Sequence, residues 1–158
     1  EEFGKKIKYI IEGGLSKIGL ESTIINLTGK PEILRIGSID INKLSKALKK
    51  NLIYRKKTYM EVPGQNRLHY SPGIPLKMNC KEASLDEAFI LMKKRNNSNK
   101  NFFYLSKNKN LKEAARNLYS VLRMIKKKGY KKIAVEKIEN KGIGLAINDR
   151  LQKASSKK

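Results

Sequence analysis

The stretch that most constrains this chain is NLKEAARNLYSVLRMIKKKG, residues 110–129. Leu111, Ala114, Ala115, Leu118, Val121, Leu122 and Ile125 recur at helical spacing, and Gly129 provides a stop. Short β-prone runs lie on either side, NFFYLS before it and KKIAVEKI after it. A strand, a helix too long to be a turn, and a second strand form a βαβ unit. Such a unit joins parallel strands, and parallel strands need apolar cover. A further helix, LAINDRLQKA, follows a glycine turn. The expectation is a small Rossmann-like α/β domain with a parallel sheet over residues 82–158.

Upstream the pattern differs. KKIKYIIE, residues 5–12, reads as the end of a helix with Ile7, Ile10 and Ile11 on one face, stopped by Gly13-Gly14. Ser22–Thr28 reads as a strand and Glu32–Ile36 as a second, with TGKP between them as the turn of a hairpin. Ser38 or Asp40 could cap a helix over INKLSKALKK. From about Arg55 to Lys81 there is no sustained period, and three of the four prolines fall there. A stretch of that length reads as a linker or a functional lid. Beyond it, SLDEAFILMKK reads as a helix capped by Ser84, with Asp86 and Glu87 in its first turn.

The formal charge is +22, from 36 Lys and Arg against 14 Asp and Glu. Such a field attracts polyanions. The cations, however, are 29 lysines to 7 arginines. Readers of phosphate and base edges favour the planar arginine fork, so the bias reads rather as compositional drift over every surface, which still leaves room for a contribution to RNA attraction. Residues 102–158 are the most basic part, with KKKGYKK at a helix end. Lone Cys80 excludes an internal disulfide and a cysteine metal cluster. No apolar run reaches the roughly 18 residues of a membrane span, and the expected setting is soluble and cytoplasmic, with no membrane partner.

The sequence holds no catalytic triad, metal-ligand spacing or Walker-type loop. His69, the one histidine, stands in RLHYSPGIP between stiffening prolines, where it and Tyr70 could meet an anion. Arg150 could pair with Asp149 or a facing helix, and its segment reads as structural. Ser22, Thr23 and Arg35 are more suggestive together than singly. A hairpin brings the start of its first strand to the end of its second, so two hydroxyls and a guanidinium could share one sheet edge. A hydroxyl can position a small polar substrate while arginine holds a phosphate bidentately.

Three stretches in this order, EGGLSKIGLESTIINLTGKPEILRIGSI, VPGQNRLHYSPGIPL and GIGLAINDRLQKA, resemble the motifs of the two-domain YrdC/Sua-type threonylcarbamoyl-AMP synthases. Ile36 stands where that family usually has proline, Asn26 where it has aspartate, and QNRL lacks the aromatic usual before His-Tyr. The resemblance implies a nucleotidyltransferase that joins L-threonine, bicarbonate and ATP into threonylcarbamoyl-AMP and pyrophosphate, with Mg²⁺, for tRNA modification. It implies that Ser22 and Thr23 bind threonine, that Arg35 binds ATP phosphate, and that His69 and Tyr70 close over the nucleotide. No catalytic nucleophile and no protein metal site are implied. Residues 1–54 would be the tail of the family's open twisted α/β catalytic domain, a hairpin plus helix. Residues 55–81 would be the interdomain linker and 82–158 the accessory domain. The expected chain is a C-terminal portion, inactive alone, whose partners include tRNA or double-stranded RNA and the downstream tRNA-modification enzymes. The rival expectation is a basic RNA-binding or partner-docking module without catalysis.

Overall fold

The computed structural model describes residues 6–14, 16–54, 62–63, 70–97 and 99–155. In chain order the elements are β1 (Ile24–Asn26), β2 (Glu32–Arg35), α1 (Ile41–Leu48), β3 (Ile53–Tyr54), β4 (Leu76–Cys80), β5 (Ala88–Leu91), β6 (Phe102–Tyr104), α2 (Leu111–Lys127), β7 (Ile133–Glu136) and α3 (Ile143–Ser155). They form two lobes, one on a three-stranded sheet ordered β1-β2-β3 and one on a four-stranded sheet ordered β4-β7-β5-β6.

The second lobe is the parallel α/β unit expected. Each neighbouring pair in its sheet is parallel: β4 with β7, β7 with β5, and β5 with β6. The β6–α2–β7 crossover therefore passes β5, which occupies the middle of the sheet. Asn110 caps α2 by accepting from the backbone of Lys112 and Glu113, and Lys126 and Lys127 complement the dipole at its other end. The apolar stripe faces inward: Ala114, Ala115, Leu118, Val121, Leu122 and Ile125 are all buried. They join Ile90, Ile133, Val135, Ile147 and Leu151 in one core between sheet and helices. Burying each large aliphatic side chain there contributes about 1.5–3 kcal/mol. On the other sheet face Phe89, Leu91 and Ala134 are covered by Phe102, Tyr104, Cys80 and Ala83. The Arg95 guanidinium lies 5.5 Å from the centre of the Phe89 ring and is held by Glu136 at 3.0 Å.

Several elements differ from the sequence reading. SLDEAFILMKK contains β5, not a helix. Its capping chemistry is present, since Ser84 N donates to Glu87 Oε2 at 3.3 Å and Glu87 N to Ser84 O at 3.1 Å. These bonds close a turn, and the apolar run that follows is buried on both faces, as a central parallel strand must be. Leu76–Cys80 lies within the stretch read as aperiodic linker, yet it forms edge strand β4 on β7. Residues 7–14 form no helix. Ile10 is 83% and Ile11 97% exposed, so nothing described gives their apolar face a surface to pack on. In the first lobe β1 and β2 form the expected antiparallel hairpin, trimmed to three and four residues. Asp40 caps α1, donating nothing and accepting from Asn42 N and Lys43 N. The two-residue β3, parallel to β2, was not legible in the sequence.

Candidate functional site

The site is built on the hairpin. The register pairs Ile24 with Arg35, so the residues just before Ile24 lie beside the end of β2. Arg35 Nε donates to Ser22 O at 2.9 Å and Arg35 Nη2 to Ser22 Oγ at 2.9 Å. A third bond, from Arg35 Nη1 to Pro63 O at 3.1 Å, ties the guanidinium to the proline-framed stretch. Thr23 Oγ1 accepts from Gly37 N at 3.1 Å. The hydroxyls and the guanidinium thus meet at one sheet edge, and both hydroxyls are fixed by groups from the opposite strand.

Glycine makes this approach possible. A Cβ on Gly37 would stand 2.1 Å from Thr23 N and 2.4 Å from the Ser22 carbonyl carbon. Gly19, with φ +74°, lies where a Cβ would come 2.6 Å from Arg116 Cα on α2. The segment carrying Ser22 and Thr23 is therefore pressed between the hairpin on one side and the second lobe on the other. Leu20 packs against the cores of both.

The deepest polar feature adjoins this edge. Arg150 of α3 is 1% exposed. Its Nε and Nη2 donate to Glu21 Oε2 at 3.2 and 3.0 Å, and its Nη1 donates to Ile36 O at 2.6 Å and Asp149 Oδ2 at 2.8 Å. Tyr119 donates to the Glu21 carboxylate at 3.1 Å, Tyr54 to Asp149 at 3.0 Å, and Lys153 to Asp149 at 2.7 Å. Burial alone would raise the Glu21 carboxyl, but its backbone hydrogen bond and the Arg150 charge outweigh that and hold it below the usual 4.5. Burial, with Asp149 beside it, pushes the Tyr54 phenol up to about 12. Burial likewise pushes the Tyr70 phenol up to about 12. Arg150 stays cationic: burial works against its charge, and Tyr70, Glu21 and Asp149 more than offset it.

Of the residues singled out from the sequence, Ser22, Thr23 and Arg35 are brought together. Tyr70 is 8% exposed and lies in the second lobe, its ring 5.8 Å from that of Tyr119 and under the Arg150 guanidinium at 5.0 Å. His69 lies outside the described residues. Sequence reasoning paired Arg150 with Asp149 or a facing helix; the bond to Asp149 is present, and the bonds from Arg150 to Glu21 and Ile36 were missed. The signal was a charged Glu21 and a carbonyl next to the site residues, whose partners lie more than 100 residues away. Among the described residues no three His, Cys, Asp or Glu side chains gather as metal ligands. No helix among them is long and apolar enough to cross a membrane.

Residues 35–156 match the family described as threonylcarbamoyl-AMP synthase, C-terminal domain. The chain belongs to that family. A threonylcarbamoyl-AMP synthase of Pyrococcus abyssi is 32% identical over 98% of this chain and 51% of its own length. One of Schizosaccharomyces pombe is 30% identical over 96% of this chain and 46% of its own. The chain thus spans about half the length of the curated relatives it matches. Among solved structures, P. abyssi Sua5 complexed with L-threonine superposes with a TM-score of 0.82 at 28% identity, covering 97% of this chain and 51% of that one. A variant of P. abyssi Sua5 with a neighbouring histidine and tyrosine both changed to alanine gives 0.73 at 25% identity, covering 90% and 47%. The family pattern begins at Arg35, so it includes Arg35 and Tyr70, whereas Ser22 and Thr23 lie upstream of it.

Proposed function

We propose that this chain is the C-terminal portion of an L-threonylcarbamoyladenylate synthase serving tRNA threonylcarbamoyladenosine modification, and that the Ser22–Arg35 edge forms one wall of its threonine and ATP pocket. The observation that carries this reading is the hydrogen-bonded meeting of the Arg35 guanidinium with Ser22, beside a Thr23 hydroxyl held by Gly37 N. Support comes from the L-threonine complex of the structural neighbour. In this reading the hairpin lobe, residues 1–54, is the tail of the catalytic domain, and residues 82–158 together with β4 form the accessory domain.

The chemistry asks for positioning more than for a protein nucleophile. Threonine's amine adds to the carbon of bicarbonate, a C–O bond breaks, and water leaves to give a carbamate. One carbamate oxygen attacks the α-phosphorus of ATP, the bond from that phosphorus to the bridging oxygen breaks, and pyrophosphate leaves with the electron pair. Ser22 Oγ accepts from Arg35 Nη2, which leaves its own O–H to donate to threonine's carboxylate or carbamate. Arg35 supplies fixed positive charge where phosphate charge develops. His69 and Tyr70 would close over the nucleotide, a role in keeping with the histidine–tyrosine variant of the P. abyssi protein. Mg²⁺ would be held by the ATP phosphates: among the described residues the Glu21 and Asp149 carboxylates beside this edge are bound to Arg150. With one wall of the pocket, this portion alone is inactive.

The test is pyrophosphate release from ATP by the full-length protein, dependent on threonine and bicarbonate. Arg35→Ala should lower kcat/KM on the order of 10²-fold. Unchanged release would overturn the assignment. The rival reading, an RNA-docking module, requires tRNA binding at near-physiological salt that is lost when Lys126, Lys127 and Lys128 are neutralised.

A further inference from the structure

The two flanks of the proposed site are gripped by one side chain of the other lobe. Glu21 immediately precedes Ser22, and Ile36 immediately follows Arg35. The Glu21 carboxylate and the Ile36 carbonyl both bind the Arg150 guanidinium, at distances of 2.6–3.2 Å. One residue further in, Ser22 and Arg35 bind each other. A guanidinium is planar and rigid, so it sets the separation of the two flanks as a spacer would. A second consequence is electrostatic. Glu21 is an anion one residue from a hydroxyl proposed to receive a carboxylate or carbamate. Left free, it would repel such a substrate. Arg150 and Tyr119 hold it to the far side and neutralise it.

Resting on the synthase reading above, we propose that Arg150 of α3 is a positioning residue for the threonine and ATP site, acting through Glu21 and Ile36. Through this side chain the second lobe contributes to substrate binding without the arginine itself touching substrate. Its buried arginine keeps Ser22 and Arg35 in register and keeps the neighbouring negative charge away.

The experiment is steady-state pyrophosphate release by the full-length protein carrying Arg150→Met, Arg150→Lys, Glu21→Gln or the Glu21→Gln/Arg150→Met pair. Arg150→Met should raise the KM for threonine about tenfold, the size of one charge-assisted hydrogen bond, with kcat changed about threefold or less. Arg150→Lys keeps the charge and loses the fork, so its KM should fall between those of the wild type and Arg150→Met. Removing the stranded anion in the double variant should bring KM back toward that of Glu21→Gln. A purely structural arginine would instead lower the active fraction, with KM unchanged and no recovery in the pair, and that result overturns the proposal. The second readout does not use activity. In nuclear magnetic resonance spectra of the full chain, the Arg35 Nε–H signal should shift and exchange faster in Arg150→Lys. If wild-type protein releases no pyrophosphate, the synthase reading fails, and the Arg35 signal alone decides the positioning role. A signal unchanged by Arg150→Lys sinks it.

Discussion

The two lobes solve the problem of stability in opposite ways. The second lobe is buried on both faces of its sheet: Ala88, Phe89, Ile90 and Leu91 are all enclosed in β5, and six residues of α2 pack with Ala88 and Ile90 on one face. Among the described residues of the first lobe only Ile33 and Ile36 are buried apolar side chains, and they pack with Ala146 of α3. Ile39, Ile53 and Tyr54 stay partly exposed there. The hairpin therefore draws on the second lobe for its interior, through Ala146, and for its polar anchoring, through Arg150. One lobe is a scaffold, while the other is an edge held in place by that scaffold. The proposed binding residues Ser22, Thr23 and Arg35 sit on the edge.

Core changes in the scaffold should have the largest effect. Phe89→Ala should cost about 3–5 kcal/mol and unfold both lobes together, read as a single shift in the urea midpoint. If the hairpin kept its amide protection after that loss, the dependence of one lobe on the other would be wrong. Breaking the polar anchor comes next. Arg150→Met leaves Asp149 and Glu21 facing each other and should cost about 3 kcal/mol. By hydrogen exchange that loss should fall mainly on residues 19–37 and spare β5. Gly37→Ala drives a methyl into the Ser22–Thr23 backbone. It should cost about 2 kcal/mol, confined to the hairpin, with α2 amides unaffected.

A pH titration separates the lobes more finely. Glu21 has a lowered carboxyl pKa in the folded chain. Its contribution is thus present above the ordinary 4.5 and is lost as pH falls through the lower folded value. Hairpin protection should hold from pH 7 to about 4.5 and weaken below it, and Glu21→Gln should flatten that acid limb. The smallest effect belongs to the exposed cations. Neutralising Lys126 and Lys127 at the end of α2 should shift stability by about 0.5 kcal/mol or less.

The same contrast governs what the sequence revealed. The α2 helix was readable because its stripe, cap and stop agree with one another. The β1–β2 hairpin was readable from its turn. β5 was misread because Ser84 to Glu87 carry real capping chemistry, and because a four-residue run buried on both faces has no period to separate strand from helix. β4 was hidden among prolines, since an edge strand is defined by its partner β7 rather than by its own pattern. The meeting of Ser22, Thr23 and Arg35 followed from hairpin geometry alone. The grip of Arg150 on Glu21 and Ile36 did not. It spans 129 residues to Glu21 and 114 to Ile36, and no local pattern encodes such a contact.

The most direct measurement is a crystal structure of the full-length protein with L-threonine and a non-hydrolysable ATP analogue. Threonine's polar groups should lie within hydrogen-bond distance of the Ser22 and Thr23 hydroxyls, with nucleotide phosphate on Arg35. Threonine or nucleotide bound elsewhere, with the Ser22–Arg35 edge bare, would contradict the claim that this edge is a wall of the pocket.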